Sequence, residues 1–264
     1  MIVSLYLFTT AWLERFFRIV KACFDGVWLG VLSRERLHAI DALYYHREKR
    51  YADEEYNRGG LWPWEQAALD RFFVGCTRVV VTGAGGGREV LALRKLGYDA
   101  IGFECNPQLA AIGDRLLASE GQPGRLSPAP RDAWPGTAGP CDGVIVGWGS
   151  YMLIQGRAHR VEYLQGARAC LPEGAPILVS FFARGGTPIS LRIVAVVGSA
   201  LRKVRGQPPV EMGDALQRNY VHYFTRAEIV DELAEGGFAL EFYDTKDYGV
   251  AIARAVKGER DEHD

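Results

Sequence analysis

One stretch decides the fold, and it reads Val79-Val80-Val81-Thr82-Gly83-Ala84-Gly85-Gly86-Gly87-Arg88-Glu89. Together with Arg78 before it, its first half predicts a strand over residues 78–82, and the run of β-branched residues is typical of a parallel strand buried on both faces. The glycines that follow allow the backbone to approach a ligand closely, and the free N–H groups of the next helix favour an anionic or polar group. The stretch therefore predicts a strand, a ligand-binding turn and a helix.

The glycine spacing tests whether this turn is a dinucleotide-binding site. A dinucleotide fingerprint requires GxGxxG. Starting from Gly83, the third glycine position holds Arg88, and starting from Gly85 it holds Val90. The pattern fails in both registers, and the spacing Gly83, Gly85, Gly87 is GxGxG instead.

The pattern of strand, turn and helix repeats along the chain. Residues 99–104 and 143–147 read as further strands, and residues 107–119 and 159–170 read as helices. A helix opened by a capping box at Thr225 precedes two final strands, at 238–243 and 248–253. Strands that alternate with helices of this length predict a parallel sheet built from βαβ units.

These motifs, in this order, resemble class I S-adenosylmethionine (SAM)-dependent methyltransferases. The resemblance covers about residues 60–255 and includes a Leu171-Pro172-Glu173-Gly174 turn. It implies an α/β fold with a Rossmann-like, seven-stranded, mostly parallel sheet, helices on both faces and a C-terminal antiparallel strand pair. Residues 60–65 are similar to a Gly-Leu-x-Pro-Trp-Glu element of bacterial methyltransferases of unassigned substrate.

The resemblance also implies the residues that bind the cofactor. Gly83, Gly85 and Gly87 would pack under the methionyl part of SAM. Glu104, at the end of the second strand, would accept hydrogen bonds from the ribose hydroxyls, for which an acceptor-only side chain is suited. Asp132 would lie near the adenine amino group.

The substrate is expected beyond the carboxyl ends of the strands. Trp148 and Tyr151 follow the strand at 143–147, where they could form a wall of the pocket, and Trp148 is also expected to contact the cofactor. If the acceptor must lose a proton, Tyr151 and His222 are the candidate general bases. Plain aromatic packing and a structural histidine are the alternatives.

Two segments flank this core. Residues 1–60 predict a helical extension with an amphipathic helix at 12–28, and residues 183–218 form an insertion in the SAM-binding domain at 61–256. The centre of the insertion, 189–204, is helix or strand by composition, and its length favours helix. Each segment contains a stretch that combines apolar surface with positive charge, at residues 12–28 and at residues 189–205. Such a surface suits a lid, a peripheral membrane contact or a homodimer interface. A charged tail occupies 257–264.

Composition narrows the possible functions. With 31 Lys and Arg against 32 Asp and Glu, the net charge of −1 argues against bulk nucleic-acid binding. Five scattered cysteines and five histidines contain no metal-ligand spacing, so no metal is predicted, and reduced thiols are expected. The charge-free run at residues 1–13 is shorter than a membrane span. A cytoplasmic chain is the expectation.

The sequence thus predicts a SAM-dependent methyltransferase that acts on a small, possibly apolar molecule and releases S-adenosylhomocysteine. An NAD-dependent oxidoreductase and a non-catalytic SAM-fold binding module are the alternatives. The failed GxGxxG pattern and the closing strand pair disfavour the oxidoreductase.

Overall fold

The computed structural model describes residues 1–246 and 248–257. The chain divides into two compact units. The first, which we call the helical unit, comprises Met1–Asp41 and Arg184–Tyr223. The second, the sheet unit, comprises Ala42–Ala183 and the chain from Phe224 onward. The predicted tail lies outside the described residues from position 258, and the predicted domain boundary at residue 60 stays a prediction.

The helices and strands are numbered along the chain. The helices are α1 (Ile2–Val31), α2 (Arg34–Arg47), α3 (Glu54–Arg58), α4 (Pro63–Phe72), α5 (Arg88–Lys95), α6 (Pro107–Ser119), α7 (Arg157–Ala169), α8 (Ile189–Val204) and α9 (Arg226–Glu235). The strands are β1 (Arg78–Thr82), β2 (Asp99–Glu104), β3 (Leu126–Pro128), β4 (Gly143–Val146), β5 (Pro176–Ala183), β6 (Asp214–Leu216), β7 (Tyr220–Phe224), β8 (Phe238–Asp244) and β9 (Gly249–Ala255). Short 3-10 helices cover Lys49–Ala52 and Tyr151–Leu153.

The sheet unit is built around β1. Val79, Val80 and Val81 are fully buried, as expected for a strand covered by helices on both faces. Parallel pairing gives the order β3-β2-β1-β4-β5, and β9 then pairs antiparallel with both β5 and β8. The predicted Rossmann-like sheet, mostly parallel with a C-terminal antiparallel pair, is confirmed.

The parallel strands place the glycine turn at one edge of the sheet. Thr82, at the end of β1, is in register with Phe103 of β2 and Val146 of β4. The segments that follow these three strands therefore meet at the carboxyl edge of the sheet, where ligands bind in open α/β folds.

The helical unit is held together by a close contact between α1 and α8. A Cβ on Gly30 would lie 2.7 Å from the Leu201 Cβ and 2.9 Å from the Gly198 carbonyl oxygen. Gly26, one turn earlier, approaches the Val194 carbonyl oxygen in the same way, at 2.9 Å. Small residues four apart allow two helix backbones to pack at short range. Residues 189–204 are thus helix, the alternative that their length favoured.

The basic residues at the end of α8 cap α1. Arg202 donates to the Leu29 carbonyl oxygen at 2.9 Å, and Arg205 donates to the carbonyl oxygens of Gly30 and Val31. These carbonyls belong to the last turn of α1, whose carbonyl groups have no partner inside the helix. Part of the positive charge of the inserted segment therefore serves a structural role.

Helix α1 is much longer than the predicted 12–28. Residues 1–21 are exposed except for Thr10, which is half-buried. Within the described residues, no helix combines the length and the apolar character that crossing a membrane requires.

Candidate active site

The glycine turn adopts backbone conformations that side chains disfavour. Gly83, Gly85 and Gly87 have φ values of 62°, 53° and 91°. A Cβ on Gly83 would lie 2.1 Å from Ser150 Oγ, so this position tolerates no side chain. A Cβ on Gly85 would meet no atom within 4 Å, which means that this residue faces open space. The turn therefore presents bare backbone to a ligand.

Glu104 is joined to this turn by a hydrogen bond. Its carboxylate accepts from the Gly85 N–H at 2.7 Å through one oxygen and from the Asn106 N–H at 2.7 Å through the other. The side chain is 6% exposed. Because each carboxylate oxygen can accept more than one hydrogen bond, Glu104 keeps acceptor capacity for a diol. The structure thus brings together the predicted loop and the predicted acid.

A cavity of about 100 Å³ lies against this pair. Its wall combines the turn, the end of β2, the segment after β4 and residues that precede the core. Its lining includes Tyr45, Tyr51, Tyr56, Glu104, Cys105 and Trp148. The cavity therefore lies where the glycine turn, Glu104 and an aromatic wall meet.

Three tyrosines form the outer wall. The rings of Tyr45 and Tyr51 are 5.4 Å apart, and those of Tyr51 and Tyr56 are 6.0 Å apart, both in edge-to-face arrangements. Burial raises the pKa of Tyr51 and that of Tyr56 above the ordinary value. These phenols are therefore neutral at physiological pH and offer O–H groups and ring edges, not a base.

Asn57 fixes this wall on the glycine turn. It is fully buried and donates to the carbonyl oxygens of Tyr51 and Asp53, at 3.0 and 2.8 Å. A Cβ on Gly86 would lie 2.3 Å from Asn57 Nδ2. Sequence reasoning missed Tyr51, Tyr56 and Asn57, and the density of tyrosines between residues 44 and 56 was the one local signal for them.

Cys105 follows Glu104 in the cavity wall. Burial, reinforced by the neighbouring Glu104 carboxylate, raises the pKa of the Cys105 thiol to about 12. Since the thiolate is the nucleophilic form, a thiol with this pKa is unreactive at neutral pH. Cys105 therefore contributes a small apolar surface.

A buried ion cluster supports the turn from the other side. Arg88 donates to both carboxylate oxygens of Glu65, at 2.7 and 2.6 Å, and to Glu89 at 2.7 Å. The Arg88 guanidinium also lies 5.4 Å from the Trp62 ring centroid. Burial raises the pKa of Glu65, and the hydrogen bond from Arg88 opposes that rise. The Gly-Leu-x-Pro-Trp-Glu element is therefore tied to the start of α5.

The comparisons with known proteins agree with this geometry. No family model matches the chain, and no curated protein matches it. Among solved structures, a SAM-dependent methyltransferase from Methanosarcina mazei matches with a TM-score of 0.57 at 16% identity, over 75% of this chain and 100% of that one. The fold is that of class I SAM-dependent methyltransferases.

Two further structures share this methyltransferase fold. The SAM-bound amino pentose methyltransferase of Micromonospora echinaspora has a TM-score of 0.54 at 15% identity, over 76% of this chain and 94% of that one. The 1,6-didemethyltoxoflavin-N1-methyltransferase of Burkholderia thailandensis, solved with its acceptor and S-adenosylhomocysteine, has a TM-score of 0.57 at 16% identity, over 86% and 92%. The TM-scores above 0.5 establish a common fold, and identities this low establish nothing beyond it.

Trp148 and Asp132 are the two remaining residues that were predicted to contact the cofactor. Trp148 lines the cavity, and its ring meets that of Tyr248 edge-to-face at 5.3 Å. Asp132 has a left-handed backbone, with φ 57°, and is half-buried. Its neighbour Arg131 lines the cavity, whereas Asp132 is not among the described lining residues. The adenine contact of Asp132 stays a prediction.

Tyr151 is buried inside the sheet unit and is not among the described residues that line the cavity. It is 1% exposed, and its hydroxyl donates to Glu232 at 2.6 Å. The same carboxylate accepts hydrogen bonds from Arg160 at 2.7–3.1 Å, and the Tyr151 ring stacks on Phe224 at 5.4 Å. Burial, with the Glu232 charge, raises the pKa of Tyr151 well above its ordinary value. This environment favours packing, and a catalytic role for Tyr151 stays a prediction.

His222 belongs to the helical unit. It is 2% exposed, and its Nδ1 lies 2.8 Å from Asp214 Oδ1, which also accepts from the Tyr220 hydroxyl at 2.6 Å. The backbone N–H of Glu211 donates to the other Asp214 oxygen at 3.0 Å. Ligand atoms of Glu211, Asp214 and His222 lie within 4.8 Å of one another. Asp214 thus joins His222, Tyr220 and the Glu211 backbone in one hydrogen-bonded network, and the role of His222 as a base stays a prediction.

Proposed function

We propose that the protein is a SAM-dependent methyltransferase that acts on a small, apolar acceptor and produces S-adenosylhomocysteine. The observation that carries the proposal is the 2.7 Å hydrogen bond between the Gly85 N–H and the Glu104 carboxylate. It fixes a loop of bare backbone beside an acid with spare acceptor capacity, at the carboxyl edge of a sheet with the methyltransferase strand order.

The residues present fit this cofactor. Gly85 faces open space, which supports a contact between its backbone and the methionyl part, and the spare acceptor capacity of Glu104 supports its proposed role toward the ribose hydroxyls. Trp148 offers an apolar ring in the same cavity. The antiparallel pair formed by β8 and β9 and the GxGxG spacing favour SAM over a dinucleotide, so the oxidoreductase alternative is disfavoured.

The chain's contribution to catalysis is positioning. Held by the glycine turn and Glu104, SAM would supply an electrophilic methyl group for an acceptor lone pair, with S-adenosylhomocysteine as the other product. The described cavity wall provides neutral phenols, a neutral thiol and engaged carboxylates, and holding two reactants in line supplies much of the rate enhancement in such sites. This favours acceptors that need no strong base from the protein.

A small acceptor is supported by the composition of the wall and by the relatives. The lining combines aromatic and aliphatic side chains, such as Tyr45, Trp148 and Leu153, with glycine backbone and a few charged groups. The acceptors named for the Micromonospora and Burkholderia structures, an amino pentose and 1,6-didemethyltoxoflavin, are small molecules. All five cysteines are free, which supports a reducing compartment and hence a cytoplasmic location.

The test is transfer of a labelled methyl group. The full chain is incubated with methyl-labelled SAM and a panel of small aromatic and aliphatic acceptors, and both the labelled product and S-adenosylhomocysteine are measured. We expect both to accumulate together with at least one acceptor. Tight SAM binding without transfer to any small, peptide or lipid acceptor would support a non-catalytic SAM-binding module instead.

A further inference from the structure

The first half of α1 is an apolar helix that the described protein leaves uncovered. Residues 2–13 carry no charge, and each is exposed except the half-buried Thr10. Leu5, Leu7 and Phe8 have 62%, 61% and 70% of their surfaces accessible. Contiguous apolar surface of this extent marks an interaction site.

The distribution of polar groups distinguishes the possible partners. The side chains with a hydroxyl between residues 2 and 13 are those of Ser4, Tyr6, Thr9 and Thr10. At about 100° per residue, Ser4 points away from the other three, and Ile2 and Leu13 point to the same side as those three, so no face of this segment is continuously polar. A helix that packs on a second protein chain carries an apolar stripe opposite a polar face. A segment that is apolar all round fits a surrounding hydrocarbon phase.

The Thr9 hydroxyl finds its hydrogen-bond partners within helix α1. It donates to the carbonyl oxygens of Leu5 and Tyr6, each at 2.9 Å. This polar group is therefore satisfied within the helix and needs no water, which is the condition that a hydrocarbon environment imposes.

The length and the following residues fit one leaflet of a bilayer. Twelve helical residues span about 18 Å, whereas half of a bilayer's hydrocarbon core is about 15 Å. Trp12 ends the segment, and tryptophan is enriched at membrane interfaces. Glu14, Arg15, Arg18 and Lys21 follow directly, so charged side chains begin where head groups would lie.

The charge of the helical unit favours an anionic surface. This unit contains eleven Lys and Arg against six Asp and Glu, a net of +5, although the whole chain carries −1. Arg15 and Arg18 are exposed on α1, beside the apolar segment. Basic residues next to an inserted helix are attracted to anionic lipid head groups.

We propose that residues 2–13 of α1 insert into one leaflet of a membrane that contains anionic phospholipids, with Arg15 and Arg18 on the head groups. This inference is independent of the proposed catalytic function, because every residue that carries it lies in the helical unit. Such an insertion would attach the protein to a membrane surface, and none of the helices within residues 1–246 and 248–257 is long and apolar enough to cross the bilayer.

Vesicle flotation of the full chain tests the proposal. We expect the protein to float with vesicles of phosphatidylcholine and phosphatidylglycerol, and less with phosphatidylcholine alone. The variant Leu5→Glu/Phe8→Glu should reduce binding at least about tenfold, because charge in hydrocarbon is costly. The matched control Leu96→Glu/Val74→Glu changes exposed apolar residues of the sheet unit and should bind as the wild type does.

Two further measurements distinguish the outcomes. Brominated lipids should quench Trp12 fluorescence, so quenching should fall in Trp12→Phe and persist in Trp62→Phe. Arg15→Gln/Arg18→Gln should weaken binding to the anionic vesicles alone. The proposal would be overturned if the wild type did not float, or if Leu5→Glu/Phe8→Glu bound vesicles as well as the wild type. It would also be overturned by a lipid-free dimer that this variant dissociates, and that result would assign the apolar face to a second copy of the chain. SAM binding, measured separately, reports on the catalytic site.

Discussion

Glu65 and Arg88 form a buried bidentate ion pair, with N···O distances of 2.6 and 2.7 Å, although 23 residues separate them. Glu65 lies in the first turn of α4, where its carboxylate also accepts a hydrogen bond from the Trp62 N–H at 2.7 Å. Arg88 is the first residue of α5 and follows the glycine turn directly. The pair therefore links the element that precedes the core to the backbone that faces the cofactor cavity.

Removing one partner of this pair should destabilise the protein. Glu65→Ala should lower the free energy of unfolding by about 3 kcal/mol, the low end of the range for a broken buried pair, because Arg88 keeps its contact with Glu89. Urea unfolding followed by circular dichroism measures the change. Gln66→Ala, on the same helix and in an exposed hydrogen bond, is the control and should change the free energy by less than about 0.5 kcal/mol. Equal effects of the two substitutions would contradict the structural role of the pair.

Glu104 should contribute to SAM affinity. A charge-assisted hydrogen bond contributes about 1.5–3 kcal/mol, so Glu104→Ala should weaken SAM binding by about 10- to 150-fold. Glu104→Gln keeps one acceptor oxygen and should have a smaller effect. Titration calorimetry measures both, with the exposed Glu162→Gln as the control. An affinity unchanged in Glu104→Ala would refute its assignment to the ribose.

Cys105 should be the less reactive of two unpaired thiols. Its pKa of about 12 leaves about one molecule in ten thousand as thiolate at pH 8. Iodoacetamide should therefore alkylate Cys105 at least about a hundredfold more slowly than the exposed Cys23. The Cys105 rate should rise about tenfold per pH unit below its pKa. Peptide mass spectrometry follows both sites, and similar rates at pH 8 would show that Cys105 is not held as a buried thiol.

The substitution Tyr151→Phe separates packing from catalysis. It removes the hydroxyl that donates to buried Glu232 and should lower the free energy of unfolding by about 1–2 kcal/mol, since Arg160 still binds that carboxylate. SAM affinity and the rate of methyl transfer should be unchanged in folded protein. A large loss of rate with wild-type stability would instead establish Tyr151 as a catalytic residue.

The sequence predicted the parts of the fold that rest on local pattern. Strands β1 and β2 and helix α6 have their predicted bounds, because a buried β-branched run and a proline-initiated helix are both local signals. The glycine turn and Glu104 were predicted together, and the structure joins them by a hydrogen bond.

What the sequence did not predict depends on distant contacts or on short elements. Strands β3 and β6 have three residues each, too few for a periodic pattern. Asn57 and Tyr51 reach the site from segments of five residues or fewer, whose position depends on packing against Gly86. The Tyr151 hydroxyl donates its buried hydrogen bond to Glu232, which is 81 residues away along the chain. No local pattern near Tyr151 indicates this partner.

Parallel calorimetric titrations of the wild-type chain with SAM, S-adenosylhomocysteine and NAD show which cofactor this protein binds. We expect saturable binding of one molecule of SAM or S-adenosylhomocysteine per chain, and no heat of binding for NAD. Saturable NAD binding with no heat from either adenosyl ligand would contradict this expectation.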